Sequence, residues 1–145
     1  MIRAIDGDTI EVLLAPSGRA SGGPVGGEAK GVGGREEVRY IGVDTPETVE
    51  PGTPVQCFGP VASRFNHRLV TGREVRLLFD AERRDTYGRL LAYVRLGGRM
   101  VNAELVRRGL ARRLTIPPND RFAPLFSRLE RRAALRGRGL WGHCL

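Results

Sequence analysis

Two stretches of the chain decide the fold, VRYIGVDTPET at residues 38–48 and DTYGRLLAYV at residues 85–94. In each of them an apolar, strand-like segment adjoins a turn rich in charged side chains. The first segment runs into residues 44–47, DTPE, where the proline stops the strand. The second opens with residues 85–89, DTYGR, and then alternates between two faces. We therefore expect two strands whose ends present polar side chains from a rigid scaffold.

The pattern around these stretches predicts a few more short elements. Apolar alternation or β-rich composition predicts strands over 9–14, 37–43, 73–79 and 89–96. Apolar residues at helical spacing predict helices from Phe58 to Leu69, over 101–109 and from Phe122 to Ala133. Four or five short strands with helices between and after them suggest a small barrel closed by helices.

Length and composition are typical of one compact domain over residues 1–145. The chain is 41% hydrophobic and 28% charged, which excludes a disordered tail, a collagen-like chain and a coiled-coil rod. Residues 17–34 contain eight glycines and no apolar period, and we interpret them as a flexible, solvated insertion that forms a hairpin loop between two strands. No apolar run approaches the roughly 18 residues of a membrane span, so we expect no membrane partner.

The charge balance favours a polyanionic partner without proving one. The net charge is +8, and all but one of the 24 basic residues are arginine. Arginine binds phosphate oxygens two at a time, although an arginine bias also follows from a GC-rich genome. The C-terminal residues Arg128, Arg131, Arg132 and Arg136 fit a solvated helix face first and a phosphate contact second.

Two cysteines, Cys57 and Cys144, leave three interpretations open. A disulfide between them would stabilise the fold by roughly 4–5 kcal/mol in the chain-entropy account and would place the protein in an oxidising compartment. Two buried free thiols are the second possibility. A zinc site is the third, although the cysteines and histidines lack finger-like spacing.

Three clusters of polar residues lie at the ends of predicted strands, and together they supply groups that can bind a metal ion and a phosphate. Asp8 and Asp44, with a nearby carbonyl, offer the hard oxygen ligands that suit Ca²⁺ or Mg²⁺ and do not suit zinc. Glu47 is a carboxylate that can orient or deprotonate a water near such an ion. Arg39 and Arg89 are cationic forks that can hold a phosphoryl group. A cation, a carboxylate base and two arginines are the groups that phosphodiester hydrolysis needs.

The sequence resembles the staphylococcal nuclease (thermonuclease-like) family over nearly its whole length apart from the glycine-rich insertion. Six ordered motifs with family-like spacing make this resemblance specific. They are AIDGDTI at 4–10, VRYIGVDTPET at 38–48, FGPVAS at 58–63, DTYGRLLAYV at 85–94, MVNAELVRRGLA at 100–111 and GLW at 139–141.

The resemblance implies an α+β, mainly β fold: a five-stranded OB-fold barrel with three helices. It implies Ca²⁺-dependent hydrolysis of DNA or RNA to 3′-phosphate products by attack of water. The calcium ligands would be Asp8, Asp44 and the carbonyl of Thr45, and Glu47 would be the general base or the carboxylate that orients the water. Arg39 and Arg89 would bind the scissile phosphate. Tyr87 would contact a neighbouring phosphate.

Some positions depart from the family pattern. Thr86 replaces a lysine of the best-known members, and Thr115 and Pro117 replace tyrosines thought to line their nucleotide pocket. Each lost aromatic platform removes roughly 1–3 kcal/mol of base stacking, so we expect weaker binding of mononucleotides.

A second interpretation is a non-catalytic OB-fold module that binds nucleic acid through its arginines. Asp8, Asp44 and Glu47 argue against it, because carboxylates repel a phosphate unless a cation lies between them. A purely structural barrel would leave both the charges and the motifs unexplained. We therefore favour the enzyme.

The cysteine pair and the resemblance predict a monomer that acts outside the cell or in its envelope. The chain as given opens without the basic and apolar regions of a signal peptide. Met1 also falls partway along the first strand of the family pattern. Our hypothesis is that translation starts upstream of Met1 and supplies both a signal peptide and the missing half of the first strand.

Overall fold

The computed structural model of the chain describes residues 2–14, 34–46 and 56–144. The predicted insertion (apart from Gly34) and Glu47 lie outside the described residues. The described elements, in chain order, are β1 (Arg3–Ala4), β2 (Thr9–Leu13), β3 (Arg35–Tyr40), β4 (Val43–Asp44), α1 (Gly59–Val70), β5 (Arg76–Leu78), β6 (Leu90–Leu96), β7 (Arg99–Met100), α2 (Val101–Arg107), β8 (Arg112–Arg113), α3 (Ala123–Leu135) and α4 (Leu140–His143).

The main sheet has the strand order β1-β2-β3-β6-β5, with β7 paired to β6. The pairs are antiparallel except β3 with β6, which run parallel with Arg39 opposite Leu91. Strands β2 and β3 flank the predicted insertion and form a hairpin, as expected, with Leu13 opposite Arg35. A separate antiparallel pair joins β4 to β8.

The α+β class is confirmed, and so are the three predicted helices. A fourth helix of one turn, α4, follows them near the C-terminus. Closure of the barrel is not seen within the described ranges, since β1 and β5 end the strand path without pairing to each other. The OB-like sheet is therefore an open set of strands in this part of the chain.

A turn at Gly42 divides the strand predicted over 37–43 into β3 and β4. Gly42 has φ of +82°, a conformation that glycine adopts without a steric penalty. A β-carbon there would also lie 2.4 Å from the ring of Phe126. The turn redirects the chain so that Asp44 leaves the main sheet and pairs with β8.

Apolar side chains from the sheet, α1 and α2 form the main core. A second cluster of Ile41, Tyr93 and Phe126 packs the sheet against α3. The most deeply buried members of the main core are Ile10, Val38, Ala62, Val70, Ala92, Val94, Val101, Leu105, Val106 and Ala111.

Two buried asparagines connect the helices to the sheet. Asn66 of α1 accepts a hydrogen bond from the hydroxyl of Tyr40 at 2.5 Å and donates to the carbonyl of Asp6 at 2.7 Å. Burial raises the pKa of Tyr40, which keeps its hydroxyl protonated as the donor. Asn102 of α2 accepts from the amide of Val94 and donates to the carbonyl of Ile41, each at 2.8 Å.

Cys57 and Cys144 form a disulfide, with their Cα atoms 6.0 Å apart. The bond joins the segment before α1 to the residue after α4 and closes a separation of 87 residues. Both sulfurs are consumed by it, so neither is a free thiol or a zinc ligand.

None of the helices in the described ranges has the length and apolar character needed to cross a membrane.

Removing the disulfide should lower the free energy of unfolding. For a loop of this size the chain-entropy account gives about 4–5 kcal/mol for Cys57→Ala with Cys144→Ala. Urea unfolding with and without a reductant measures the effect. The reductant should destabilise the original chain and leave the alanine variant unchanged; equal stability of both chains would contradict the prediction.

Glu104 should stabilise the fold in a pH-dependent way. Arg107 donates to its carboxylate at 2.7 Å, and this bond, with Arg99 and Arg108 nearby, lowers the pKa of Glu104. Because the pKa is lower in the folded state, the stabilisation is present above the unfolded-state pKa and is lost as the pH falls through the folded-state value.

We expect Glu104→Gln to cost roughly 1 kcal/mol or less at pH 7 and progressively less in acid. Urea unfolding between pH 7 and pH 3 measures this trend. Glu74→Gln is the matched control, because Glu74 is exposed and makes no ion pair with another described residue. A cost for Glu104→Gln that stays constant down to pH 3 would contradict the interpretation.

Candidate active site

The turn at residues 6–8 presents Asp8 at the start of β2. The backbone amide of Asp8 donates to Asp6 Oδ1 at 3.0 Å, which closes the turn. Gly7 lies against Thr45, and a β-carbon at this position would be 2.6 Å from Thr45 Oγ1. A glycine is therefore required between the two aspartates for the turn to approach the residue that follows β4.

Asp8 is a buried carboxylate with partners on both oxygens. Oδ1 accepts from the Thr9 hydroxyl at 3.2 Å, and Oδ2 accepts from the Thr45 amide at 3.0 Å. Oδ2 also lies 3.4 Å from Nη2 of Arg39. These contacts connect β2, β3 and the end of β4 at one point.

The guanidinium of Arg39 has one anchored nitrogen and one loosely held nitrogen. Nη1 donates to the carbonyls of Tyr40 and Val43, at 2.9 and 2.8 Å, and so fixes the turn at Gly42. Nη2 lies 3.4 Å from Asp8 and 3.5 Å from Asp44, beyond the roughly 2.7–2.9 Å of a strong charge-assisted hydrogen bond. Nη2 can therefore exchange these contacts for a phosphate oxygen while Nη1 holds the side chain in place.

The donor set around Arg39 fits a hard cation. Asp8 and Asp44 face the same nitrogen, and the side chain of Asp44 is 57% exposed. Carboxylate and carbonyl oxygens are the ligands of Ca²⁺ and Mg²⁺. Within the described ranges no three acidic, histidine or cysteine side chains cluster closely enough to hold a metal ion. Any further ligands would have to be backbone carbonyls, waters or residues outside those ranges.

Arg89 is oriented by Asp85 across a tight turn. Asp85 Oδ1 accepts from the amides of Tyr87 and Arg89, each at 2.9 Å, and Oδ2 accepts from Arg89 Nε at 2.7 Å. The terminal nitrogens of Arg89 bond no acceptor within residues 2–14, 34–46 and 56–144. No described residue therefore competes with an anion for them.

Tyr87 is 83% exposed and lies beside Arg89, whose guanidinium carbon is 5.5 Å from the centre of its ring. Both residues line a cleft of about 260 Å³. Its other lining residues are Gly88 and, from β2 and β3, Glu11, Arg35, Glu36 and Glu37.

The structure thus brings the predicted residues together as two groups. Asp8, Arg39, Asp44 and Thr45 contact one another, whereas Tyr87 and Arg89 form a second group with Asp85. The parallel pairing of β3 with β6 connects them, because Arg39 lies opposite Leu91 and Arg89 precedes β6. Glu47 lies outside the described residues.

Two contributors to the site do not follow from the sequence pattern as interpreted above. Asp85 was expected only as part of its turn, although an aspartate four residues before Arg89 was an available signal of their pairing. The ion pair of Arg84 with Glu36, at 2.9 and 3.1 Å, supports the wall of the cleft and gave no such signal because 48 residues separate its members.

Comparison with known proteins gives a consistent result. The family model described as staphylococcal nuclease homologue matches residues 37–143. A thermonuclease of Staphylococcus intermedius is 42% identical over 139 residues, covering 96% of this chain and 73% of that protein. A thermonuclease of Staphylococcus hyicus is 39% identical over 143 residues, covering 99% of this chain and 75% of its own length.

A third relative, endonuclease YncB of Bacillus subtilis (strain 168), is 39% identical over 141 residues, covering 96% of this chain and 59% of the relative. The family match extends over both groups of site residues except Asp8, and the relatives align with nearly the whole chain. The chain belongs to the family of staphylococcal nuclease homologues.

Proposed function

We propose that this protein is a calcium-dependent nuclease that hydrolyses phosphodiester bonds of DNA or RNA. The observation that carries the proposal is the position of Arg39 between Asp8 and Asp44, with a second arginine, Arg89, held by Asp85 at the start of the neighbouring strand. Relatives named thermonuclease and endonuclease, at 39–42% identity, support the same activity.

Asp8, Asp44 and the backbone carbonyl of Thr45 would hold the calcium ion. Bound there, calcium supplies a Lewis acid that polarises the phosphoryl group and a template that orients it. The two carboxylates would otherwise repel a phosphate, so their presence beside Arg39 favours catalysis over simple binding of nucleic acid.

The remaining steps belong to the side chains of the chain itself. Glu47 accepts a proton from the attacking water, whose oxygen forms the new bond to phosphorus. The bond from phosphorus to the 5′-oxygen breaks, the leaving 5′-oxygen takes up a proton from bulk water, and a 3′-phosphate remains. Arg39 and Arg89 neutralise the charge that develops on the phosphoryl oxygens.

Tyr87 would contact the phosphate next to the scissile one. It is the one aromatic side chain that is strongly exposed in the described part of the chain, and it stacks beside Arg89 in the cleft. Its hydroxyl can donate to a phosphate oxygen without displacing the bond between Arg89 and Asp85.

We also propose that the protein acts as a monomer outside the cell or in the cell envelope. The disulfide supports this location, because such bonds persist in oxidising compartments.

The activity should require both calcium and the proposed residues. We expect the purified protein to degrade plasmid DNA or RNA in Ca²⁺, to stop when a chelator is added, and to leave 3′-phosphate ends. Removing a general base or a charge-stabilising donor typically costs 10²- to 10⁴-fold, so kcat for Glu47→Gln and Arg89→Ala should fall by about that range.

Glu74→Gln and Arg73→Ala are the matched controls, since both residues are exposed and lie between α1 and β5. Their kcat should match that of the original chain. Binding of nucleic acid without cleavage in Ca²⁺ or Mg²⁺ would instead favour a non-catalytic OB-fold module.

A further inference from the structure

Helix α3 and its C-cap residue, Arg136, carry exposed arginines that the proposed catalytic groups do not use. Arg128, Arg131, Arg132 and Arg136, hereafter the α3 arginine face, are all exposed. Phe126 and Ala133 are the buried residues of the same helix. Arg128 and Arg136 are eight residues apart, about 12 Å along the helix axis, a distance that exceeds the spacing of neighbouring phosphates in a nucleic-acid strand.

These four side chains make no ion pair with any carboxylate in the described ranges. Arginines elsewhere do, as Arg84 does with Glu36 and Arg107 with Glu104. The sole acidic residue of α3, Glu130, is occupied by Arg113. Its Oε1 lies 3.4 Å from Arg113 Nε, and its Oε2 accepts the Arg113 amide at 2.7 Å.

The spacing of the face is unfavourable for the isolated protein. Arg128 and Arg132, and likewise Arg132 and Arg136, are four residues apart, so their like charges repel one another on the helix surface. A bound polyanion would remove this repulsion. The face therefore has the charge and the geometry of a surface for a row of phosphates.

Helix α3 is connected to the candidate active site through a single strand. Helix α3 packs on β8 through the pair of Glu130 with Arg113. Strand β8 is the ladder partner of β4, with Arg112 directly opposite Asp44. Arg112 is itself exposed, with its guanidinium carbon 4.7 Å from the centre of the Trp141 ring. Asp44 is therefore connected to α3 through β8, the strand that also carries the exposed Arg112.

We infer that the α3 arginine face is a second binding surface for the nucleic acid, which holds backbone phosphates outside the nucleotides at the scissile bond. The inference rests on the proposed nuclease function for the identity of the polyanion. It predicts that long strands bind more tightly than short ones and that this advantage depends on salt.

The test compares binding and cleavage in a charge-neutralised variant. Arg128→Gln, Arg131→Gln, Arg132→Gln and Arg136→Gln are combined, because glutamine keeps the helix propensity and removes the charge. Anisotropy of a labelled single-stranded 30-mer, in chelator and at several salt concentrations, gives Kd. We expect Kd to rise about tenfold or more near 0.15 M salt, and the log–log salt slope to flatten by about 0.7 for each phosphate of the single strand that the variant no longer binds.

Two controls separate this surface from net charge. The first neutralises four exposed arginines of α1, the segment after it and β5 by the same substitutions: Arg64, Arg68, Arg73 and Arg76. It should raise Kd much less. The second is cleavage of a trinucleotide in Ca²⁺, which should be unchanged in the α3 variant because so short a substrate does not reach α3.

Several outcomes would overturn the inference. One is a Kd for the 30-mer that is unchanged in the α3 variant. A second is a Kd that rises equally in the α3 variant and in the fourfold control variant. A third is a loss of trinucleotide cleavage in the α3 variant as large as its loss of 30-mer binding. Unfolding temperatures check that the variants are folded. The double variant Arg128→Gln with Arg132→Gln removes fewer charges and repeats the test if the fourfold variant does not fold. If the original chain cleaves neither substrate, the proposed nuclease function fails, while the Kd comparison still decides whether α3 binds nucleic acid.

Discussion

The two bonds from Arg39 Nη1 to the carbonyls of Tyr40 and Val43 are the constraint on which the candidate site depends. They brace the turn at Gly42, which takes the chain out of β3 and positions Asp44. The same guanidinium then meets Asp8 and Asp44 through its other terminal nitrogen. One side chain therefore shapes the backbone and neutralises the two carboxylates that would otherwise repel each other across the site.

The parallel pairing of β3 with β6 extends this arrangement to the second arginine. Because that pairing also places Ala92 opposite Tyr40, a shift in its register would move Arg89 relative to Arg39 and disturb the buried packing. Asn102 secures the region by bonding Val94 in β6 and the carbonyl of Ile41 after β3. The site is thus built on strands and turns that the core holds in place. The role of Asp85 is then to orient the side chain of Arg89.

Local pattern predicted some parts of this structure well and others poorly. The alternation over 89–96 identified β6, and the apolar spacing over 101–109 identified α2, because each signal is contained in a few consecutive residues. The break at Gly42 was missed because the residues on both sides of it, Tyr40, Ile41 and Val43, are apolar, as they would be in an unbroken strand. The positive φ of Gly42 leaves no signal in that pattern. The partners of Asn66 and Asn102 lie up to 61 residues away, and the Cys57–Cys144 bond depends on a distance that spacing cannot measure.

A crystal structure of the protein grown with Ca²⁺ would test the central claim most directly. We predict calcium at about 2.3–2.6 Å from oxygens of Asp8, Asp44 and the carbonyl of Thr45. Arg39 Nη1 should still bond the carbonyls of Tyr40 and Val43. Calcium bound elsewhere, or an Arg39 side chain that leaves those carbonyls when the ion binds, would contradict the account.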